Sequence, residues 1–273
     1  MKKEKVILVA VLILTIGFCF SWTVFSKTKK EDYDVKLELE RARAYGEIQN
    51  VLSAHTYCYE AQKQEYEIDN FWSKRDDISY GANNRGREAV KKFFIVDNGE
   101  QARKAKLKRM AELYPDEVKN ISKNLGIGDM VIHLVTSPYI EVAGDCKTAV
   151  GLFYCPSLCV SIGYDGEPVP TMIWDKCEVA FIKEDGHWKM WHYKQYTQFS
   201  SELDKSIFDP PKSDRSWMMA QSMEMPARGG SMPMPPDMDA MPQQYSNKRV
   251  ADWRPGIPQP YETWDDLPDF YGK

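Results

Sequence analysis

The pattern of hydrophobic and polar positions divides the chain into three parts. Residues 6–25 carry no charged side chain and are apolar on every helical face. Residues 31–205 mix apolar and polar positions as an ordinary globular domain does. Residues 206–273 hold most of the prolines and methionines. Because a stretch rich in Pro, Gly, Ser and acidic residues cannot bury a core, we predict a flexible linker over 206–252, followed by an aromatic, Pro-rich arm over 253–273.

The uncharged run at 6–25 dominates the amino-terminal segment 1–30. As a helix it spans about 30 Å, the thickness of a bilayer core. We therefore predict a single-pass membrane anchor, with a cleaved signal peptide as the alternative. Lysines flank the run on both sides, so they do not fix its orientation. The expected extracytoplasmic position of the domain rests on the default behaviour of amino-terminal signal anchors.

The first half of the domain has helical periodicity. Apolar residues recur at spacings of three and four across 34–62, which predicts a long helix with one continuous stripe. The stripe consists of Tyr45, Ile48, Leu52, His55 and Tyr59. A shorter helix is predicted over 65–73, a short strand over 76–80 and a further helix from Gly86 onward.

From residue 128 onward the pattern changes to strands rich in Val, Ile and aromatic residues. The predicted strands are 130–136, 139–143, 148–162, 172–183 and 188–197. Prolines at 168 and 170 predict a longer connection before the fourth of these. Helices followed by hairpin-linked strands predict an α+β domain in which one curved antiparallel sheet packs on the amino-terminal helices. Helices that cover only the concave face leave a pocket between the two layers.

Overall composition excludes two classes of protein. The chain of 273 residues has 36 Lys and Arg against 40 Asp and Glu, a net charge of −4, which argues against a protein that coats nucleic acid. Aromatic residues make up 12% of the chain, which is too many for a wholly disordered protein. The expected partners at this point are a small molecule and the membrane.

Five short stretches carry a resemblance to a known family. They are residues 47–50 (EIQN), 71–81 (FWSKRDDISYG), 86–90 (GREAV), 140–149 (IEVAGDCKTA) and 181–192 (FIKEDGHWKMWH). Over residues 31–200 the chain resembles the nuclear transport factor 2-like superfamily, and within it the SnoaL-like and scytalone dehydratase-like proteins. The resemblance implies a cone-shaped sheet and a homodimer. It does not fix an activity, because the superfamily contains dehydratases, isomerases, cyclases and pure binding domains.

Three histidines lie on elements that line one cone in the resembled fold: His55, His133 and His192. A neutral imidazole in an apolar pocket can remove a proton next to a carbonyl, and a tyrosine hydroxyl can stabilise the enolate that develops. We expect His133 to act as general base or acid, with His55 or His192 as its partner. Tyr80 is the expected hydrogen-bond donor. Asp77 is a further candidate, but alternation puts it on the strand face opposite Tyr80.

The remaining candidate residues would contact the substrate. They are Leu52, Tyr59, Trp72 and Trp174. No cofactor or metal is expected, because the chain lacks a Walker loop, a GxGxxG after a strand and the HxH, HxxxH and HExxH spacings. The predicted function is that of a membrane-anchored, cofactor-independent lyase or isomerase acting on a small cyclic or aromatic molecule. A non-catalytic ligand-binding or assembly domain at the membrane is the alternative.

Cysteine and methionine raise two further questions. Five cysteines outside the membrane run, at irregular spacing, do not form a disulfide framework. We expect Cys58 and Cys177 to be small buried hydrophobic residues, and a Cys155–Cys159 bridge stays open if the domain is exported. The methionines between 218 and 241 suit either a low-complexity linker or a Cu(I) site in an oxidising compartment.

Overall fold

The computed structural model describes residues 34–81, 83–116, 130–162, 167–203, 250 and 254–267. The chain divides into two compact units, Met1–Leu39 and Glu40–Lys273, and the functional residues discussed below lie in the second. The predicted membrane segment 6–25 and the methionine-rich stretch lie outside the described residues. Among the residues that are described, no helix is both long and apolar enough to cross a membrane.

Two helices open the described chain. Helix α1 (Val35–Glu60) begins after Asp34. Oδ1 of Asp34 caps the helix by accepting hydrogen bonds from the backbone N–H groups of Lys36 and Leu37, at 3.0 and 3.2 Å. Ile48, Leu52 and His55 of the predicted stripe are buried and Tyr59 is half-buried, but the prediction is wrong for Tyr45, which is 38% exposed at the surface. Helix α2 (Gln64–Asn70) ends before the predicted boundary. The chain leaves the helix there because the backbone around Trp72 bonds to Met190 in a parallel bridge.

A continuous helical segment follows the first short strands. It consists of α3 (Arg87–Lys91), a π-helical stretch (Lys92–Glu100) and α4 (Gln101–Leu113). Val90 and Phe94 from this segment are fully buried. The predicted helix from Gly86 is therefore confirmed.

Within the part of the chain that the structure describes, seven strands form one sheet. They are β1 (Ser79–Tyr80), β2 (Asn84–Arg85), β3 (Met130–His133), β4 (Thr136–Val142), β5 (Thr148–Ile162), β6 (Pro168–Glu184) and β7 (His187–Glu202). The strand order is β2-β1-β7-β6-β5-β3, and β4 also pairs with β5. The α+β class is confirmed.

The prediction of a purely antiparallel sheet is wrong. Strand β1 runs parallel to β7, with Ser79 opposite His192 and Tyr80 opposite Tyr193. No hairpin joins these two strands, because β1 follows the helices and β7 comes last in the chain. The sheet is therefore mixed, with its long antiparallel strands β5, β6 and β7 forming the body.

The predicted connection around residues 168–170 is instead the start of β6. Pro168 pairs with Ile162 and Pro170 with Val160 on β5, whereas β7 reaches only as far as Thr171. One side of β6 is thus an edge at this point, and proline is tolerated at edges because no ladder hydrogen bond is lost.

The two faces of the sheet differ along β6. Ile173, Asp175, Cys177 and Val179 are buried on the inner face, which carries the helices. The alternate residues Trp174, Lys176 and Glu178 lie on the outer face and are half-buried. Register shifts opposite Trp174/Asp175 and Ala180/Phe181 insert extra residues into β7, and such bulges increase the twist of a sheet.

The carboxy-terminal arm packs on the domain. Backbone N–H groups of Gly144 and Asp145, in the β4–β5 turn, donate to the carbonyls of Tyr261 and Glu262 at 2.9 and 3.1 Å. Tyr261 is buried against Ala143 and Val150, with Trp264 and Leu267 beside it. A side chain at Gly144 would meet the Glu262 carboxylate at 2.0 Å. Residues 268–273 of the predicted arm lie outside the described residues.

All five described cysteines have free thiols, so the Cys155–Cys159 bridge does not form. Both residues lie on β5, four positions apart, where strand geometry separates their Cα atoms by about 13 Å. A disulfide needs a Cα separation below about 7 Å. Cys58 and Cys177 are buried, as predicted.

Candidate active site

His133 stands where a strand meets the end of a helix. It closes β3 opposite Ser157 of β5, and its Nδ1 lies 2.5 Å from the Ser157 hydroxyl oxygen. Its backbone N–H donates to Oε1 of Glu60, the last residue of α1, at 3.0 Å. These two bonds hold the imidazole ring over the inner face of the sheet.

His55 is held by a buried carboxylate. Its Nδ1 lies 2.7 Å from Glu67 Oε1, which also accepts a hydrogen bond from Trp72 Nε1 at 2.8 Å. An indole nitrogen can only donate, and an ionised carboxylate can only accept. The partners therefore assign a proton to His55 Nδ1 and leave Nε2 available for another group. Glu67 Oε2 has no partner among the described residues.

The two imidazoles face each other. Their ring centroids are 6.0 Å apart and the rings are nearly perpendicular. Burial, together with a positive charge on His55, lowers the pKa of His133 to about 4.

Aromatic side chains surround this pair. The Tyr59 ring lies 6.3 Å from His55 and 6.1 Å from His133, and burial raises the pKa of its hydroxyl, which stays protonated. Tyr193 lies 5.3 Å from His55 and stacks on Tyr80 at 5.2 Å. A row of rings thus runs from His133 to Tyr80.

Tyr80 begins a polar chain at the other end of that row. Its hydroxyl donates to Gln195 Oε1 at 3.1 Å, and Gln195 Nε2 donates to Asp175 Oδ2. Burial raises the pKa of Tyr80 well above its usual value, so the phenol is neutral. The predicted contact residues Trp72 and Leu52 lie in the same layer and are completely buried; their contact with a substrate stays a prediction.

His192 and Asp77 lie away from this group, on the opposite face. His192 is beside Trp191, and its Nδ1 lies 2.9 Å from the Ser79 hydroxyl. Asp77 accepts hydrogen bonds from Arg75 and Trp191, and the Arg75 bond lowers the pKa of that carboxyl.

A bulge in β7 explains the position of His192. Trp188 and Met190 are buried, and strict alternation would turn His192 inward with them. Ala180 pairs with His192 while Phe181 pairs with Met190, so Trp191 is an extra residue. One extra residue exchanges the two faces of a strand.

Trp174 is also on the outer face. It stacks on Phe199 at 6.0 Å and lies 6.4 Å from Tyr154. The predicted site residues that the structure brings together are therefore His133, His55, Tyr59 and Tyr80.

Comparison with known proteins identifies the family. Residues 40–194, more than half of the chain, match the SnoaL-like domain. The chain belongs to the SnoaL-like domain family. The resemblance expected from the sequence is thereby confirmed. No curated protein sequence matches the chain significantly.

Solved structures similar to this SnoaL-like domain include three proteins from Novosphingobium. One from N. aromaticivorans DSM 12444 is assigned as a scytalone dehydratase, with 15% identity, 63% of this chain and 93% of that chain covered, and a TM-score of 0.42. The hexachlorocyclohexane dehydrochlorinase LinA-type3 of N. barchaimii LL02 is 17% identical. The match covers 64% of this chain and 99% of that chain, with a TM-score of 0.41. An NTF2-like protein with a cystatin-like fold from N. aromaticivorans is 14% identical. The match covers 65% of this chain and 94% of that chain, with a TM-score of 0.40.

Sequence reasoning missed four polar residues of the SnoaL-like domain: Glu67, Ser157, Asp175 and Gln195. A signal for Glu67 was present, because Gln64, Glu67 and Ile68 share the buried face of α2. Asp175 interrupts an otherwise apolar alternation on β6. Ser157 and Gln195 gave no comparable signal, because their roles depend on which strands pair.

Within the described ranges, no group of three or more His, Cys, Asp and Glu side chains is placed to hold a metal ion. The prediction that no cofactor is needed stays a prediction.

Proposed function

We propose that this SnoaL-like domain is a cofactor-independent lyase or isomerase acting on a small cyclic or aromatic molecule. The observation that carries the proposal is the pair of imidazoles, 6.0 Å apart and held by different partners. A dehydration or double-bond shift needs one group to take a proton and a second to return one. Two imidazoles this close together can supply these two roles.

His133 is the proposed base. Its lowered pKa of about 4 keeps the imidazole neutral near pH 7, so the form that accepts a proton is always present. The Ser157 hydroxyl at Nδ1 fixes the orientation of the ring. A substrate carbon next to a carbonyl, placed against Nε2, would lose its proton to His133.

His55 is the proposed acid. Glu67 stabilises an imidazolium at His55, as a buried carboxylate does in other acid–base pairs. His55 would give its proton to the leaving hydroxyl, and the carbon–oxygen bond would break as the double bond forms. The sum is loss of one water, after which His133 is protonated and His55 is neutral. Proton transfer between the two rings restores the starting state.

Tyr80 is proposed to act on the substrate oxygen. In the free protein its hydroxyl donates to Gln195, so a carbonyl oxygen of the substrate would replace Gln195 as the acceptor. A neutral phenol in this position can stabilise an enolate by a hydrogen bond. Tyr193 and Tyr59 would bound the ring of the substrate.

Membrane attachment through residues 6–25 and an extracytoplasmic domain belong to the same proposal, as does a homodimer. The anchor is supported by the twenty uncharged residues of that run. Fractionation of cells that express the full chain checks the anchor, since a membrane-anchored chain stays in the pellet after alkaline extraction.

The homodimer is checked by light scattering of the detergent-solubilised chain.

The enzymatic test uses a panel of cyclic β-hydroxy ketones, with 3-hydroxycyclohexanone as the first member. Product enone is followed by absorbance, and exchange of the α-proton by NMR in D2O. We expect His133→Ala to lower turnover at least about 100-fold, the usual contribution of a general base. His187→Ala is the matched control, because His187 is exposed at the first position of β7. Unchanged turnover in His133→Ala would contradict the proposed role.

A non-catalytic binding domain is the second candidate. One observation favours it: Trp72, Phe94, Tyr80 and Tyr193 pack on one another and occupy much of the interior. Ligand binding by the wild type, without turnover or α-proton exchange of any panel member, would identify this function instead.

A further inference from the structure

Asp175 is a buried carboxyl with one oxygen unused. It lies at the centre of β6 and is 1% exposed. Gln195 donates to Oδ2, while Oδ1 has no hydrogen-bond partner among the described residues. Burying a carboxyl oxygen without a partner destabilises a fold. Its neighbours on the same face, Ile173, Cys177 and Val179, are apolar, so packing alone does not require an acid here.

The described groups around Asp175 include no cation. The Gln195 amide and the Thr197 hydroxyl donate to the Asp175 carboxyl. The charge of Asp175 is one of the causes that raise the pKa values of Tyr80, Cys159 and Cys177. Burial raises the pKa of Asp175 itself more than the two hydrogen bonds lower it. A carboxyl in these surroundings is suited to hydrogen bonding with an uncharged group.

Asp175 faces the same interior as the histidine pair. Ser157, the partner of His133, pairs with Ile173, so Ser157 and Asp175 are diagonal neighbours on β5 and β6. Diagonal neighbours on one face of a sheet are about 7–8 Å apart. Burial and the nearby Asp175 carboxylate raise the pKa of the Cys159 thiol, and the Tyr59 ring lies 6.1 Å from His133. The Asp175 carboxyl and the imidazole pair therefore lie on the same inner face of the sheet.

We propose that Asp175 is a specificity-determining residue, whose free oxygen binds a hydroxyl or carbonyl group of the substrate at the end remote from His133. This inference rests on the proposed function for the position of the reacting atom. It adds a substrate class: an uncharged cyclic or aromatic molecule that carries an oxygen on the side opposite the proton that is removed. A carboxylate or phosphate ester is disfavoured, because a second acid would meet Asp175 with no cation beside it.

The test measures binding rather than turnover. Equilibrium dialysis gives the affinity of the full chain for 2-naphthol, for 2-methylnaphthalene, which lacks the oxygen, and for the anion 2-naphthoate. We expect the wild type to prefer 2-naphthol over the other two by at least about tenfold, the effect of one buried hydrogen bond. Asp175→Leu removes the preference over 2-methylnaphthalene. Asp175→Asn keeps most of it, because an amide offers both a donor and an acceptor.

Glu178→Leu is the matched control. Glu178 is also a carboxyl on β6, but it lies on the outer face, where it accepts a hydrogen bond from Tyr196. This variant should leave the preference for 2-naphthol unchanged. A loss of preference in Glu178→Leu equal to that in Asp175→Leu would overturn the proposal.

The other outcomes are equally decisive. An unchanged preference in Asp175→Leu overturns the proposal, as does failure of the wild type to bind any probe. Asp175→Ala is made in parallel, and failure of both Asp175→Leu and Asp175→Ala to fold would make Asp175 a structural residue. Failure of the proposed function is read separately, from turnover in His133→Ala, so the two results are independent.

Discussion

His133 and His192 share their immediate chemistry. Each brings Nδ1 close to a serine hydroxyl, Ser157 at 2.5 Å and Ser79 at 2.9 Å. Burial is the main cause that lowers the pKa of each imidazole to about 4. By these two measures either histidine could be the functional one.

Their surroundings differ. His133 faces a second imidazole that is backed by a carboxylate. His192 lies in a cluster of rings with Trp191 at 4.5 Å and Trp264 at 5.9 Å, and Trp264 comes from the carboxy-terminal arm that covers this part of the outer face. A lowered pKa and a serine partner follow from burial on either face of a sheet. What distinguishes a candidate catalytic histidine is a second group that can move a proton.

Removing one carboxylate from each face of the sheet should give the largest difference in turnover between the two faces. Glu67→Gln keeps an acceptor for Trp72 but loses the carboxylate that stabilises an imidazolium at His55. We expect turnover of the panel substrate to fall about 100-fold, or about 2.7 kcal/mol in barrier. Steady-state kinetics of the purified full chain measures it.

Asp77→Asn is the control on the outer face. Asp77 is bound by Arg75 and Trp191 and touches neither inner histidine. This variant should keep its turnover and lose about 1 kcal/mol of stability, because the Arg75 pair is half-exposed. Equal losses of turnover in the two variants would contradict the distinction between the faces.

Much of the fold was predictable because it depends on local pattern. The stripe on α1 and the alternation of β5, β6 and β7 are periodic signals, and they identified the long elements with small boundary errors. The parallel pairing of β1 with β7 was not predictable in this way. Two-residue strands carry almost no periodic signal, and their partner is set by the packing of the helices that precede them.

The site was predictable only in part, for a related reason. His55 and Tyr59 followed from the α1 stripe, and Tyr80 was separated from Asp77 by alternation alone. His192 was misplaced because the single extra residue at Trp191 reverses the alternation. Ser157 and Gln195 depend on strand register, which no single strand reveals.

The pH dependence of stability should be the same for the two histidines, whereas that of turnover should differ. Each has a pKa of about 4 in the folded protein and about 6.5 when unfolded. Between these values the unfolded chain binds more protons, so stability is lost as the pH falls from about 6.5 towards 4. Between pH 7 and pH 5 each histidine should contribute a loss of about 2 kcal/mol.

Urea unfolding at pH 7 and pH 5 measures this loss. His133→Gln and His192→Gln should each reduce it by about 2 kcal/mol, because each removes one titrating group. The carboxyl groups contribute equally to wild type and variants, and so cancel in the difference. Only His133→Gln should also change the pH profile of turnover. A loss that persists undiminished in either variant would contradict the assigned pKa of that histidine.

The smallest expected effect comes from two tyrosine hydroxyl groups. Tyr80 donates to Gln195 on the inner face, and Tyr196 donates to Glu178 at 2.6 Å on the outer face. Tyr196→Phe leaves the Glu178 carboxyl without that donor and should cost about 1 kcal/mol of unfolding free energy with unchanged kcat. Tyr80→Phe should lower kcat about tenfold, since one hydrogen bond to a developing enolate is lost. Urea unfolding and kinetics on the same preparations give both values. A larger kinetic effect in Tyr196→Phe than in Tyr80→Phe would move the reacting substrate to the outer face.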